Sequence, residues 1–372
     1  MLVVEPSFLK GRIELQKDEV VGLFGRNGAG KTTVMMTALC LMEGKVNLNG
    51  EDFCAKPDYT RIGYVSQNPN SQVLGETCED EIEILSNFVD SDREIARKLM
   101  GDFFSVPFKR LSDGYKKRFV LSSALSTHPE YLLIDEPFAN LDEEGISTLV
   151  KVIPRGTLLS EHRVKQTLSL IDRSYLIKDG NLVEKDKGAF LENNFLRREG
   201  LRGFEIDPLE TKPSQEVLTQ FRVKGSNEFL HKGESLCIKG KNGSGKTTTL
   251  KGLIGKKDVY VIFQNPDLQF FNQTVREEMK DPEVMKRLGL WKEADRSPYS
   301  LSHGEKMKVL IGSAISSKSR VIALDEPASG LDGFSLLEFR SILQGVLEEG
   351  RGVIITTNDD DIIPLCNRVI QL

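Results

Sequence analysis

Short apolar runs alternate along this chain with longer segments whose apolar positions suit a helix. Val20-Val21-Gly22-Leu23-Phe24 is one such run, and the stretch from Val34 to Met42 follows it as a helix-compatible segment. Leu132 to Ile134, Leu158-Leu159 and Tyr175 to Ile177 continue the alternation. Uninterrupted apolar runs suit strands buried on both faces, so the pattern predicts an α/β fold with a mainly parallel sheet flanked by helices. The piece from Gln67 to Leu111 breaks the rhythm. It is richer in Glu, Asp and Phe and reads as a helical insert between two strands.

The pattern then returns. "YVSQNPNSQVL" at 64–74 is answered by "VIFQNPDLQFF" at 261–271, "LSDGYKKRFVLSSAL" at 111–125 by "LSHGEKMKVLIGSAI" at 301–315, and "YLLIDEPFANLD" at 131–142 by "VIALDEPASGLD" at 321–332. A period this long marks a duplicated domain rather than a solenoid repeat. The predicted domains are 1–193 and 204–372. The charged stretch "NFLRREGLRG" at 194–203 is expected to link them, because it shows no apolar periodicity. The first copy has room for "GKVNLNGEDF", a hairpin-like stretch; the second runs almost directly from its first helix into Val259 to Phe263. A shortened antiparallel β subdomain is therefore expected in the second domain.

Composition changes the picture little. The chain has 372 residues, 39% hydrophobic and 28% charged, with a net charge of -5. That balance describes a globular protein with no general pull toward nucleic acid. No run approaches the roughly 18 apolar residues of a membrane span, and the N-terminus lacks the features of a signal peptide. The five cysteines are scattered without a C-x-x-C pair. They are expected to be small buried residues in a reducing compartment.

The chemistry gathers at two stretches. "GRNGAGKTT" (25–33) and "GKNGSGKTT" (240–248) both fit G-x-x-x-x-G-K-[ST]. The pattern suits a phosphate cradle: glycines let successive N–H groups face one concavity, a lysine adds charge, and a hydroxyl reaches Mg²⁺. Candidate ATP-binding residues are Gly25, Asn27, Gly28, Gly30, Lys31, Thr32 and Thr33, with Gly240, Asn242, Gly243, Gly245, Lys246, Thr247 and Thr248. Apolar runs also deliver Asp135-Glu136 and Asp325-Glu326 to strand ends. In a nucleotide site the aspartates would hold the Mg²⁺ shell and the glutamates would face an attacking water. Ser112 and Ser302 can cap the helices that follow them, and Gly114 and Gly304 expose N–H groups at the positive helix ends.

P-loop, glutamine, "LSxGx", "DEP", "LD" and a late histidine, twice over and in this order, resemble the ATP-binding cassette (ABC) ATPases. The resemblance implies two tandem P-loop NTPase domains, ATP and Mg²⁺ as cofactors, and ATP hydrolysis with Glu136 and Glu326 as catalytic residues. It implies that Gln67 and Gln264 touch the metal and report to a partner. With Thr32, Asp135, Thr247 and Asp325 they complete the metal set. Ser112, Gly114, Ser302 and Gly304 would grip the γ-phosphate bound to the opposite domain, so the two domains would pair head-to-tail. Asp142 and Asp332 would lie at the seam of that pair. His162 would contact the γ-phosphate, and Asn358 stands where the second histidine should be. Phe8 and Phe221 are candidates for stacking on adenine.

Both glutamines open the phrase Q-N-P-x-x-Q: Gln67-Asn68-Pro69…Gln72 and Gln264-Asn265-Pro266…Gln269. The phrase resembles that in the ATPases of energy-coupling-factor and cobalt-nickel importers. That branch implies a transmembrane coupling subunit and a substrate-binding membrane subunit as partners, and no nucleic acid. The chain would then sit in the cytoplasm, peripheral on the inner face of the cell membrane. Val73-Leu74 and Phe270-Phe271 would form the docking surface. The alternative is a soluble twin-cassette ATPase acting on ribosomes or in regulation. The acidic charge and the short seam weigh against it.

Overall fold

The computed structural model describes residues 1–139 and 141–372, and they fall into two compact units, Met1–Phe204 and Glu205–Leu372. The first unit holds a six-stranded sheet. Its order is Asn181–Lys185, Arg173–Lys178, Val20–Phe24, Thr157–Glu161, Tyr131–Asp135, Ile62–Val65. All neighbours are parallel except the first pair, which forms a hairpin. Val20–Phe24, Tyr131–Asp135 and Thr157–Glu161 are buried at every position, as strands covered on both faces must be. A four-stranded antiparallel sheet joins Ile13–Leu15, Leu2–Pro6, Gly44–Leu48 and Glu51–Asp52. "GKVNLNGEDF" supplies its last two strands.

The second unit repeats the plan in smaller form. Its five-stranded sheet is wholly parallel, in the order Val259–Ile262, Val321–Asp325, Gly352–Thr357, Ser235–Lys239, Arg368–Gln371. The antiparallel subdomain is reduced to the hairpin Val217–Val223/Ser226–His231, as the shorter spacing predicts. The stretch 67–111 folds into the helices Cys78–Ser86 and Arg93–Met100 with short 3₁₀ turns; Val275–Met279 and Pro282–Arg287 answer them. Thr77 and Thr274 start the first helix of each insert with a capping box, which satisfies two orphan N–H groups reciprocally.

Two expectations are corrected. The stretch 194–203 is not a linker. Asn193–Glu199 is helical, Phe195, Leu196 and Leu201 are buried, and Arg202 is wholly enclosed. Arg202 forms a parallel bridge with Arg163, so this segment belongs to the first unit's core. Its apolar residues are too few to show a period, but each finds a site. The cysteines are not all free either. Cys40 pairs with Cys54 and Cys237 with Cys366; only Cys78 is a free, buried thiol. Sequence separations of 14 and 129 residues hid both pairs.

Candidate functional site

Each unit builds a nucleotide-type site where an interior strand of its main sheet turns into a helix. Val20–Phe24 leads through the first glycine-rich loop into the helix Lys31–Ala38; Ser235–Lys239 leads through the second into Lys246–Lys251. Gly30 (φ 105°) and Gly245 (φ 99°) occupy the N-cap positions in left-handed backbone that a side chain would strain. A Cβ at Gly28, Gly243 or Gly245 would meet no atom within 4 Å, so these glycines border open space. Lys31 is buried, and its Nζ donates to the carbonyls of Gly25 (2.9 Å) and Arg26 (3.3 Å). Lys246 repeats this with Gly240 (2.7 Å) and Lys241 (3.1 Å). The ammonium groups are thus fixed inside their own loops.

The acidic pairs arrive as predicted, and strand register aims them. Asp135 lies opposite Ser160, whose hydroxyl donates to Asp135 Oδ1; Asp325 lies opposite Thr356, whose hydroxyl does the same. The other carboxylate oxygens accept from Thr32 Oγ1 (2.5 Å) and Thr247 Oγ1 (2.7 Å). A hydroxyl and a carboxylate converging beside a P-loop lysine fit the hard oxygen donors that Mg²⁺ takes. Thr32 and Asp135, or Thr247 and Asp325, would hold the ion, with Gln67 and Gln264 as further candidates. Bound there, Mg²⁺ would neutralise charge on the β- and γ-phosphates.

Glu136 and Glu326 follow in left-handed backbone, at φ 44° and 47°. Non-glycine residues rarely accept this conformation, and it clusters at functional sites. Each glutamate reaches its own P-loop lysine, Lys31 at 3.3 Å and Lys246 at 3.2 Å. From there the units diverge. Glu136 accepts from Gln67 Nε2 at 2.7 Å and has His162 Nδ1 3.4 Å away. The His162 loop is itself held by Glu161, whose Oε1 accepts from the His162 and Arg163 N–H groups. In the second unit Asn358 offers Glu326 only its backbone N–H, at 3.1 Å, and turns its side chain to Asn242 (3.2 Å).

The acidities separate accordingly. Burial pushes Glu136 up, but His162 and Lys31 outweigh it and hold the carboxyl well below its usual range. Burial pushes Glu326 up, and Lys246 and the Asn358 N–H only partly offset it. A depressed pKa in the fold contributes stability above the unfolded value, lost as pH falls; a raised one costs stability once pH exceeds the unfolded value. Near pH 7.5, Glu136→Gln should therefore lower the melting temperature, by a loss on the order of 1 kcal/mol. Glu326→Gln should leave it unchanged or raise it. Calorimetry of the two variants checks this, and equal losses would refute it.

The signature residues start long helices. Ser112 caps Asp113–Ser126, accepting from the Tyr115 N–H (3.4 Å). Ser302 caps His303–Ser316 in a full capping box with Glu305. Gly114 and Gly304 lie in the first turns, and the added Cβ of each would meet a neighbour at 3.4 Å. Asp113 is exposed and pairs with Lys116 at 3.4 Å. Burial and the nearby Lys306 push His303 down, which favours its neutral form. Asp142 and Asp332, expected at a domain seam, cap helices within their own units by accepting from the N–H groups of Gly145 and Ser335.

The adenine candidates differ. Phe8 is exposed and lies over the first loop, its ring 2.6 Å from where a Gly30 Cβ would stand. Phe221 is buried, and it lines a cavity of about 800 Å³ beside Ser244, Gly245 and Thr248. Of the apolar pairs, Leu74 and Phe271 are exposed, but Val73 packs against the core and Phe270 is buried against Tyr299.

Sequence reasoning missed several participants. Ser160 and Thr356 act through register, which no local motif shows. Glu81 and Glu278 fasten the end of each glutamine loop: Glu81 accepts from the N–H groups of Leu74 and Gly75, Glu278 from those of Phe271 and Asn272. Both lie 14 residues after the loop glutamine, a spacing the internal repeat could have shown. The Q-N-P-x-x-Q phrase also has a local cause. Asn68 and Asn265 cap the 3₁₀ turns, and Gln72 and Gln269 close the loop by bonding backbone on both sides.

Lysine in a glycine cradle, a Thr–Asp pair and a strand-end glutamate, present in both units, define a tandem P-loop ATPase. The ABC transporter family matches residues 10–139 and 255–329, and the chain belongs to that family. A provisionally named ABC transporter ATP-binding protein of Treponema denticola is 25% identical, covering 97% of this chain and 90% of that one. An uncharacterised ABC transporter ATP-binding protein of Rhizobium meliloti is 35% identical over 48% of this chain and 74% of its own length. Among solved structures, ribosome-bound archaeal Pelota and ABCE1 matches at a TM-score of 0.70 and 20% identity, covering 99% of this chain and 76% of that one. The RNase-L Inhibitor matches at 0.68 and 21%, covering 99% and 87%. An archaeal ABCE1 in complex with ribosomal stalk protein aP1 matches at 0.67 and 21%, covering 99% and 87%. At this identity these likenesses show the tandem-cassette fold.

They also correct the expected partners. Two of the matching structures with the two-cassette layout show an archaeal ABCE1 with the ribosome or with a ribosomal stalk protein, not with a transmembrane coupling subunit and a substrate-binding membrane subunit. The phrase that suggested those partners is accounted for by loop closure. No helix among the described residues is long and apolar enough to cross a membrane.

Proposed function

We propose that the chain is a magnesium-dependent twin-cassette ATPase that works on ribosomes. ATP hydrolysis itself follows from the family. The observation that supports the finer reading is the likeness to ABCE1-type proteins along 99% of the chain. The net charge of -5 offers RNA no general attraction. Docking would instead use a ribosomal protein, and the exposed Leu74 (70%) and Phe271 (88%) suit a protein contact.

The site's own residues give the roles. The P-loop N–H groups and Lys31 or Lys246 bind the phosphates. Glu136 and Glu326 take the proton of the attacking water. Gln67 and His162 hold Glu136 in place. Co-sedimentation of the full chain with ribosomes, with a non-hydrolysable ATP analogue and with ADP, tests the reading. Ribosome binding that depends on the nucleotide is expected, and Leu74→Asp with Phe271→Asp should weaken it several-fold. Retention on membrane vesicles with none on ribosomes would overturn it.

A further inference from the structure

Lys117 is a buried charged residue that the roles above leave unused. It lies on the helix that Ser112 begins, its side chain is buried, and its Nζ donates to the backbone carbonyl of Glu136 at 2.7 Å. Burying an ammonium is costly unless it is paired. Burial pushes this one down to about 8, against the pull of Glu161, Glu136, Asp113 and Asp135. A lysine kept there against that cost calls for a use.

The second unit supplies an internal control. Counting from the signature serine, Met307 holds the place of Lys117, and it is buried too. A methionine cannot donate. There the Glu326 carbonyl accepts the turn's own N–H, from Ser329, at 3.1 Å. The matching bond in the first unit, Ala139 N–H to Glu136 O, is stretched to 3.4 Å. One turn closes on itself; the other is closed mainly by a lysine from the signature helix.

We propose that Lys117 is a positioning residue for Glu136, tying the signature helix to the backbone of the catalytic glutamate in the first unit. The carbonyl it grips belongs to a residue at φ 44°, where a small rotation would swing the carboxylate away from the attacking water. A shift of the signature helix then moves the base, through a hydrogen bond that Met307 cannot make in the second unit.

The proposal rests on the ATPase reading, and the test separates the two. Steady-state hydrolysis is measured in the full chain carrying Glu326→Gln, so that turnover reports the first site. Adding Glu136→Gln must abolish the remaining rate; if it does not, the reading of the site fails whatever Lys117 does. Lys117→Met, which copies the second unit's residue, should lower kcat about tenfold with KM for ATP within about twofold. Lys117→Arg, which keeps a charged donor, should recover part of kcat at the same KM. Unchanged kcat in Lys117→Met, or a rise in KM alone, would overturn the proposal. Should Lys117→Met not fold, Lys117→Gln and Lys117→Arg are judged by the same split between kcat and KM.

Discussion

Glu136→Gln is expected to leave less than about a tenth of the steady-state ATP hydrolysis, and Glu326→Gln to leave more than half; losing a positioned base costs about 10²–10⁴-fold at its own site. Two effects oppose each other here. The raised pKa of Glu326 makes it the stronger base, which alone would favour the second site. Positioning favours the first. Glu136 is held by Gln67 at 2.7 Å, with Lys31 and His162 against its other oxygen. Glu326 has one N–H on Oε2 and Lys246 at 3.2 Å from Oε1, with a backbone amide in place of the Gln67 and His162 side chains that reach Glu136. A displacement of about 1 Å can cost about 10²-fold, more than a modest gain in basicity returns. Positioning therefore decides. Rates of the two single variants, in full-length protein with saturating ATP and Mg²⁺, settle the matter. Equal losses, or a greater loss from Glu326→Gln, would show that Asn358 substitutes fully for the histidine.

The parts of this site that were legible in the sequence are those whose chemistry dictates spelling. Glycines at 28, 30, 243 and 245 are demanded by the backbone, and an apolar run ending in Asp-Glu announces a buried strand and its exit. The duplication made each reading self-checking. What stayed hidden depends on contacts between distant segments. Ser160 and Thr356 matter only because register sets them beside Asp135 and Asp325. Lys117 resembles any charged helix residue until its helix is seen to pack on the Glu136 turn. The segment 194–203 reads as solvated because Arg197, Arg198 and Glu199 surround its few apolar residues, yet Leu201 and Arg202 are fully enclosed. The phrase Q-N-P-x-x-Q misled in the opposite sense. Its residues close a loop, so its presence has a local cause that does not depend on the expected membrane partner.

ATP should protect the native protein against heat, and Lys31→Met with Lys246→Met should shrink that protection severalfold. Each lysine is buried, held by two carbonyls of its loop, and placed within 3.3 Å of its glutamate. Its position is thus set before the phosphates arrive, and binding loses little freedom in ordering it. A nucleotide bound at 100 times its dissociation constant stabilises the folded state by about 2.7 kcal/mol. For units of this size that is a rise of roughly 5–10 °C in melting temperature. Methionine keeps the volume and removes the cation. Hydrogen bonds to a charged group are worth about 1.5–3 kcal/mol, so affinity should fall by about one to two orders of magnitude and the ATP-dependent rise should shrink severalfold. The baseline will move as well, because Glu326 loses its cation whereas Glu136 retains His162. Differential scanning fluorimetry, with and without Mg²⁺-ATP, separates the two effects: the ligand-dependent rise reports binding, and the melting point without nucleotide reports the stranded carboxylate. A double variant that keeps the full ATP-dependent rise would mean that neither lysine contacts the phosphates.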